Sequence, residues 1–203
     1  MKPLASGRLE LRPLEAPDFE VWYEARSRNV EWLRPWEPVP EPGAAETSRD
    51  RAAFRSRCVN WARQRHLDAA YAFGVFDEDS TLVGEIHLSN VLRGPFQSAM
   101  VGYWIDQARA GRGIAPEALV LVLRFAFEEL RLHRIEVCVV PRNKASRRVA
   151  EKLRLREEGV AVGFLQVHGV WEDHIRYAVT AEDWAADGAD LVAAHVTGPG
   201  PAR

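Results

Sequence analysis

Cysteine is scarce. The chain of 203 residues has two, Cys58 and Cys138, far apart and without metal-ligand spacing. That excludes a disulfide scaffold, and the pair reads as reduced thiols of a cytoplasmic protein. His133, His168 and His174 are too scattered for a metal site, so no metal is expected. No apolar run approaches the ~20 residues of a membrane helix. The opening MKPLASGRLE lacks the apolar centre of a signal peptide. Charge of one sign is lacking too: 27 basic against 29 acidic residues leave a net charge of -2. No global basic field marks a nucleic-acid binder, and no direct nucleic-acid or membrane partner is expected. There is no internal repeat and no G-x-x-x-x-G-K-[ST] phosphate loop. A dinucleotide fingerprint would place a third glycine where this chain has Pro116.

What is present is a composition ordinary for a globular chain, 47% hydrophobic and 28% charged, enough for one domain with a sizeable core. The chain is organised around Met100 to Phe127. An apolar run rich in β-formers, Met100 to Ile105, ends in Asp106-Gln107. Ala110-Gly111-Arg112-Gly113-Ile114 follows, and then an apolar-periodic segment from Ala115-Pro116-Glu117. The order is strand, glycine turn, helix. Pro116 belongs to the first helical turn and Glu117 suits the positive end of the dipole. The glycines let backbone N–H groups face outward, and the helix start adds more donors. The result is an anion cradle of pyrophosphate size, so a phosphate-bearing cofactor is expected.

Taken in order, residues 8–14 alternate as a half-buried strand and 15–29 read as a helix. Four prolines between Val30 and Gly43 argue against a regular element there, while Trp32 and Trp36 either pin the loop or line a groove. Residues 44–67 read as a helix, 71–76 and 81–91 as a hairpin, 133–140 as a buried strand, and 146–153 as a helix. Strands 157–167 and 170–179 meet at His168-Gly169, and Thr180 with Asp183 forms a small cap. Small and Gly/Pro-rich residues from 186 to 203 read as a disordered C-terminal tail after one domain, residues 1–185. The fold class is α+β: a mixed, mostly antiparallel sheet of about seven strands with helices on both faces. Two parallel neighbours, the strand ending at Ile105 and that of 133–140, are expected to splay at their C-terminal ends.

Ala108-Arg109-Ala110-Gly111-Arg112-Gly113 fits the x-x-x-G-x-G/A loop by which GNAT-superfamily acetyltransferases hold acetyl-CoA, with Ala108 at a position often Gln or Arg. Leu33-Arg34-Pro35-Trp36-Glu37-Pro38, Ser89-Asn90-Val91, Gly102-Tyr103-Trp104-Ile105, His133-Arg134-Ile135, Asn143 with Ser146, and Gly169, Trp171, Asp173 and His174 together resemble the RimJ/RimL type of ribosomal-protein N-acetyltransferases. The resemblance runs from about Leu9 to Trp184. It implies transfer of acetyl from acetyl-CoA to the N-terminal alanine α-amine of a ribosomal or similar protein, through a ternary complex, by a monomer or homodimer. Three positions depart from the family: Arg154 replaces a glycine, Ala150 the general tyrosine, and Leu165 the glutamate of the serine-directed branch.

The expected cofactor contacts are Trp104, Ile105, Asp106, Arg109, Ala110, Gly111, Arg112, Gly113, Ile114, Ala115, Asn143, Ser146 and Arg147. A strand N–H around Trp104 to Asp106 would polarise the thioester carbonyl. Ser146, held by Asn143, is the candidate hydrogen bond to the departing sulfur, and the same pair is equally an ordinary helix cap. Glu85 and His87, on a polar strand face, are the candidate bases. Asp106 caps the glycine turn in the alternative reading. Trp32, Trp36, Asn90 and Tyr103 are candidate acceptor contacts. Two other readings stand beside this one: a GNAT acting on a small-molecule amine, and a non-catalytic acyl-CoA-binding protein.

Overall fold

Alternation over Leu9–Arg12 buries Leu9 and Leu11 and exposes Glu10; Pro13, which has no N–H, ends the strand. The computed structural model describes residues 2–37, 50–196 and 198. In it a short strand β1, Leu4–Ala5, pairs antiparallel with this β2, Leu9–Arg12. It is the eighth strand, one beyond the seven expected. The others are β3 Tyr71–Asp77, β4 Leu82–Leu92, β5 Ser98–Ile105, β6 Arg134–Val139, β7 Arg156–Val167 and β8 Val170–Thr180. They form one sheet in the order β1-β2-β3-β4-β5-β6-β8-β7. Every neighbouring pair is antiparallel except β5 and β6.

Helices cover both faces. α1, Phe19–Arg28, turns Phe19, Trp22 and Ala25 inward, where Phe54 of α3, Arg51–His66, meets the Trp22 ring at 4.7 Å. The segment between them is not an irregular loop as far as Trp36. α2, Val30–Leu33, lies upstream of the first proline, and Pro35 sits in the first turn of a 3-10 turn, where no N–H is needed. Residues 38–49, with the other prolines and the expected start of α3, lie outside the described residues. On the opposite face α4, Ile114–Arg124, is buried all round from Pro116 to Leu123, because the sheet, α5 (Lys144–Lys152) and α6 surround it.

α6, Ala181–His195, corrects the expectation of a disordered tail from residue 186. Thr180 and Asp183 form a full capping box, Trp184 stacks on Phe127 at 5.6 Å, and Leu191 is buried two turns later. The apolar stripe holds the helix although alanine, aspartate and glycine dominate its composition. Residues 197 and 199–203 lie outside the described residues. Among the described residues no helix is long and apolar enough to cross a membrane.

β5 and β6 pair only at Ser98–Arg134, Ala99–Ile135 and Met100–Glu136, and then part. The splay expected from element order is therefore present. β4 carries one extra residue opposite this point, between Ser89 and Leu92, with Asn90 at φ 52°. A bulge raises local twist, and here it bends β5 where it leaves β6. Asn90 tolerates the left-handed conformation better than most residues. It is exposed, with its amide toward Met100 Sδ at 3.6 Å.

The turn after α5 is a Schellman motif. Leu155 N–H donates to Ala150 O and Arg154 N–H to Glu151 O, both at 3.0 Å. Its left-handed position is held by Arg154 at φ 54°, where glycine is the relaxed choice. Arg154→Gly is expected to raise stability by about 1 kcal/mol, or about 2–4 °C in Tm for a domain of this size. Thermal and urea unfolding of the two proteins would check it; an unchanged or lower Tm would show that the position is unstrained.

Candidate active site

The loop between β5 and α4 is locked by side chains from distant parts of the chain. Asp106 caps the turn at Gln107–Arg109 by accepting from Ala108 N at 3.1 Å. Arg28 of α1 holds the same carboxylate at 2.7 Å, and Asn29 Oδ1 accepts from Gln107 N at 2.9 Å. Burial pushes the Asp106 carboxyl up, but Arg28, Asn29 and the Ala108 N–H together outweigh it and leave it below its ordinary range. Asp106 caps the turn and is not among the residues that line the cavity. Gly111 and Gly113 both stand at φ 78°, and Gly113 is the N-cap of α4. A Cβ at Gly111 would meet nothing within 4 Å, so the space beside the loop is open. Arg8, just before β2, donates to Arg112 O at 3.1 Å and ion-pairs with Glu117, which is fully buried in the first turn of α4. Arg109 pairs with Asp77 at 3.1 Å.

A cavity of about 530 Å³ opens where β5 and β6 part. It gathers most of the residues expected there: Ile105, Arg109, Ala110, Gly111, Gly113, Ile114 and Ala115 at the loop, Asn143 and Ser146 on α5, and Trp32, Trp36, Tyr103 and Trp104 at the aromatic end. Asp106 N–H donates to Val83 O at 2.9 Å, while Ile105 O turns the other way and accepts from Trp32 Nε1 at 3.3 Å. Backbone direction alternates along an antiparallel strand. So Tyr103 and Ile105, rather than Trp104 and Asp106, present main-chain groups to the gap. Asn143 Oδ1 accepts from Ser146 N at 3.1 Å, an ordinary cap, yet both side chains also face the cavity.

Several expected residues lie elsewhere. Arg112 does not line the cavity, and its carbonyl is taken by Arg8. Arg147, one residue past Ser146, is rotated toward β8, where it approaches Pro141 O at 3.4 Å and the Tyr177 hydroxyl. The cavity rim instead carries Lys144, Arg148 and Lys152, spaced one helical turn apart on α5, and Glu37 at the aromatic end. The four-residue spacing of those three cations was visible in the sequence. Asn90 belongs to the bulge of β4, away from the cavity. Ala150 is 1% exposed in the core, so that position of α5 offers no side chain to the site.

Glu85 and His87 are not in the cavity either. Their strand face alternates polar residues, but α1 and α3 cover it. Glu85, 6% exposed, accepts from Trp22 Nε1 at 2.8 Å and Trp104 Nε1 at 3.3 Å and is ion-paired with Arg57. Burial pushes its carboxyl up, and Arg57, Trp22 and Arg26 more than offset this, so it stays ionised. A carboxylate so fully engaged is a fixed anion, not a base open to an acceptor. His87 packs beside Trp61, ring centroids 5.9 Å apart, and over Gly102, where a Cβ would stand 2.7 Å from the imidazole. Burial lowers its pKa, against a smaller pull upward from Glu85, and Arg57 adds to the lowering. Among the described residues no group of three or more His, Cys, Asp or Glu could hold a metal.

These groups set a pH dependence of stability. Below about pH 6.5 the unfolded chain protonates His87 while the folded chain resists. Glu85 and Asp106 behave alike at lower pH: unfolded, they take up protons near the ordinary carboxylate values, and folded they do not. Stability therefore falls on acidification through both windows. Urea unfolding across about pH 7 to 4 should show this. His87→Gln should flatten only the upper window; an unaltered slope there would show that His87 titrates normally.

The match to known proteins agrees with this geometry. Residues 8–156 match the family described as Acetyltransferase (GNAT) domain. The chain is 37% identical over 181 residues to the Probable N-acetyltransferase YjcK of Bacillus subtilis, covering 89% of this chain and 98% of that protein. It is 32% identical over 182 residues to the [Ribosomal protein uS5]-alanine N-acetyltransferase of Escherichia coli, covering 89% and 92%. Among solved structures, Mycobacterium smegmatis RimJ in complex with CoA-disulfide superimposes with a TM-score of 0.86 at 30% identity, over 98% of this chain and 100% of that one. With the glycine loop, the parted strands and the family match in place, the chain belongs to the GNAT acetyltransferases.

Proposed function

We propose that the protein transfers acetyl from acetyl-CoA to the α-amine of an N-terminal alanine on a ribosomal or similar protein, directly within a ternary complex. One observation carries this reading: the cavity lining combines four cations, three tryptophans and one carboxylate. The cations are Arg109, Lys144, Arg148 and Lys152, the rings Trp32, Trp36 and Trp104, and the single carboxylate among the described lining residues is Glu37. Arg26 grips that carboxylate at 2.7 and 2.9 Å. The cations suit a phosphorylated cofactor. The rings suit one small apolar residue with a single amine, and a polyamine would want several carboxylates.

The residues fit acetyl-CoA. The α4 N-terminus and the open side of Gly111 would take the diphosphate, and the unpaired edge of β5 the extended arm. Acetyl-CoA supplies an acetyl carbon activated as a thioester. The Ile105 backbone, which lines the cavity, would hold it. Nothing in the described lining is a free strong base, and an α-amine needs little help. An α-amine ordinarily titrates at ~7.7–8.0, so roughly a tenth is neutral at pH 7, against about one in a few thousand for a lysine at ~10.4. The likeness to the Escherichia coli uS5-alanine enzyme supports the same acceptor.

Calorimetry should detect acetyl-CoA binding to the wild type, and Gly111→Glu, which puts an anion and a strained side chain into the cradle, should abolish it. Retained binding would reject the assigned site. Thiol release should be seen with Ala-starting peptides and not with free lysine, spermine or aminoglycosides. Turnover of the small amines alone would favour a small-molecule acetyltransferase. Binding without any turnover would favour an acyl-CoA-binding protein.

A further inference from the structure

A second cavity, of about 250 Å³, lies between α3 and residues 13–16, which follow β2. It shares no lining residue with the first. Part of its lining is apolar: Leu14, Val59, Trp61 and Ala62. Val59 is 62% exposed, an apolar side chain left open to a partner. Three guanidinium groups line the same space, those of Arg55, Arg57 and Arg65. Their helix carries five arginines and no carboxylate. Arg51 is paired with Glu20, and Arg57 with Glu85. Arg55 and Arg65 are in no ion pair among the described residues. Against them the described lining sets one carboxylate, the exposed Glu15. Cys58 lines the cavity too, but burial pushes its thiol up, so it adds no negative charge at neutral pH. Positive charge is left over beside an apolar surface.

We propose that this cavity is a docking groove for an acidic peptide segment of a partner protein. The segment lies extended along α3, with a carboxylate at each end and an apolar side chain between them. Arg55 and Arg65 are ten residues apart on one helix, which is about 15 Å along its axis. An extended chain advances about 3.3 Å per residue, so roughly five residues cover that distance. In such a stretch the first, third and fifth side chains point the same way. The first and fifth reach the two arginines when they are acidic. The third meets Val59, Trp61 and Ala62 when it is apolar.

The separation of the two arginines favours a partner with two anionic groups over a single small anion. A nucleic-acid strand would want an unbroken cationic track and free rings to stack on. Here apolar side chains stand between the arginines, and the Trp61 ring is already engaged with His87, centroids 5.9 Å apart. Exposed ion pairs contribute little one at a time. The apolar contact in the middle therefore carries part of the affinity, and binding is weak and transient, as suits so small a surface. The inference stands apart from the acceptor assigned above, and its test leaves that reading untouched.

The full chain is titrated with a blocked Glu-Ser-Leu-Ser-Glu peptide and followed through the indole N–H resonance of Trp61, assigned with Trp61→Phe. The shift should saturate. The same peptide with Gln for both Glu should bind about tenfold more weakly, and with Ser for the central Leu about fivefold more weakly. The double variant Arg55→Gln, Arg65→Gln should bind the Glu and Gln peptides equally while its Tm stays unchanged, since neither arginine holds a carboxylate in the fold. Equal binding of the two peptides by the wild type would overturn the proposal. So would a preference for the Glu peptide that survives in the double variant, or a Leu-to-Ser change without effect. A single-stranded oligonucleotide that displaced the peptide at a lower concentration than the peptide itself requires would make this a nucleic-acid surface instead, and the proposal would fall.

Discussion

The structure turns on an interrupted ladder. β5 and β6 pair at three positions, through Met100 and Glu136, and then diverge although both strands continue. Each keeps its outer partner: β4 follows β5 to Ile105, and β8 follows β6 to Val139. Two strand edges are thus exposed inside a sheet rather than at its margin. Backbone groups there need partners from elsewhere. One comes from Trp32, whose indole reaches Ile105 O. The rest of the gap is walled by the α4 N-terminus and α5, and the site is the space they leave. The extra residue in β4 gives a physical reason for the divergence, since it bends the sheet beside Met100.

Next to that gap the glycine loop has little freedom, despite its composition. Arg8, the adjacent Arg28 and Asn29, and Asp77 attach to it from three segments. A loop with two residues at positive φ would otherwise sample many conformations. Fixing it from three segments means that its N–H groups are oriented before any anion arrives, which strengthens binding by removing an ordering cost. The burial of Glu117 belongs to the same device. Its charge sits at the positive end of α4 and receives Arg8, so the clasp and the helix start are one electrostatic unit.

The parts of this arrangement that were legible in the sequence have local causes. Strand, glycine turn and helix follow from Asp106, Gly111, Gly113 and Pro116, each acting within a few residues. The splay followed from the order of elements. What failed depended on contacts between distant segments. Alternation at Glu85 and His87 correctly announced a polar face, but nothing local announced that Trp22, Arg57 and Trp61 would cover it. Arg147, expected beside the phosphate cradle, turns to β8, because one residue along a helix is about a quarter turn away from the face that carries Lys144, Arg148 and Lys152. The α6 helix was hidden by composition, although Trp184 and Leu191, two turns apart, marked its buried stripe. Arg154 is the reverse case. Arginine stands where the family has glycine, and the chain keeps the left-handed geometry there and carries the strain.

The covered face still bears on the site, through Trp104. Its ring lines the cavity, its Nε1–H is held by Glu85, and Arg26 stacks over it at 5.3 Å. Arg26 in turn grips Glu37, the carboxylate of the aromatic end. The buried anion and the cavity anion are therefore joined through one indole and one guanidinium. Displacing Glu85 would release the Trp104 ring from one side, and displacing Glu37 would release Arg26 from the other. Glu85 thus braces one wall of the cavity from behind, through the Trp104 indole, without lining it.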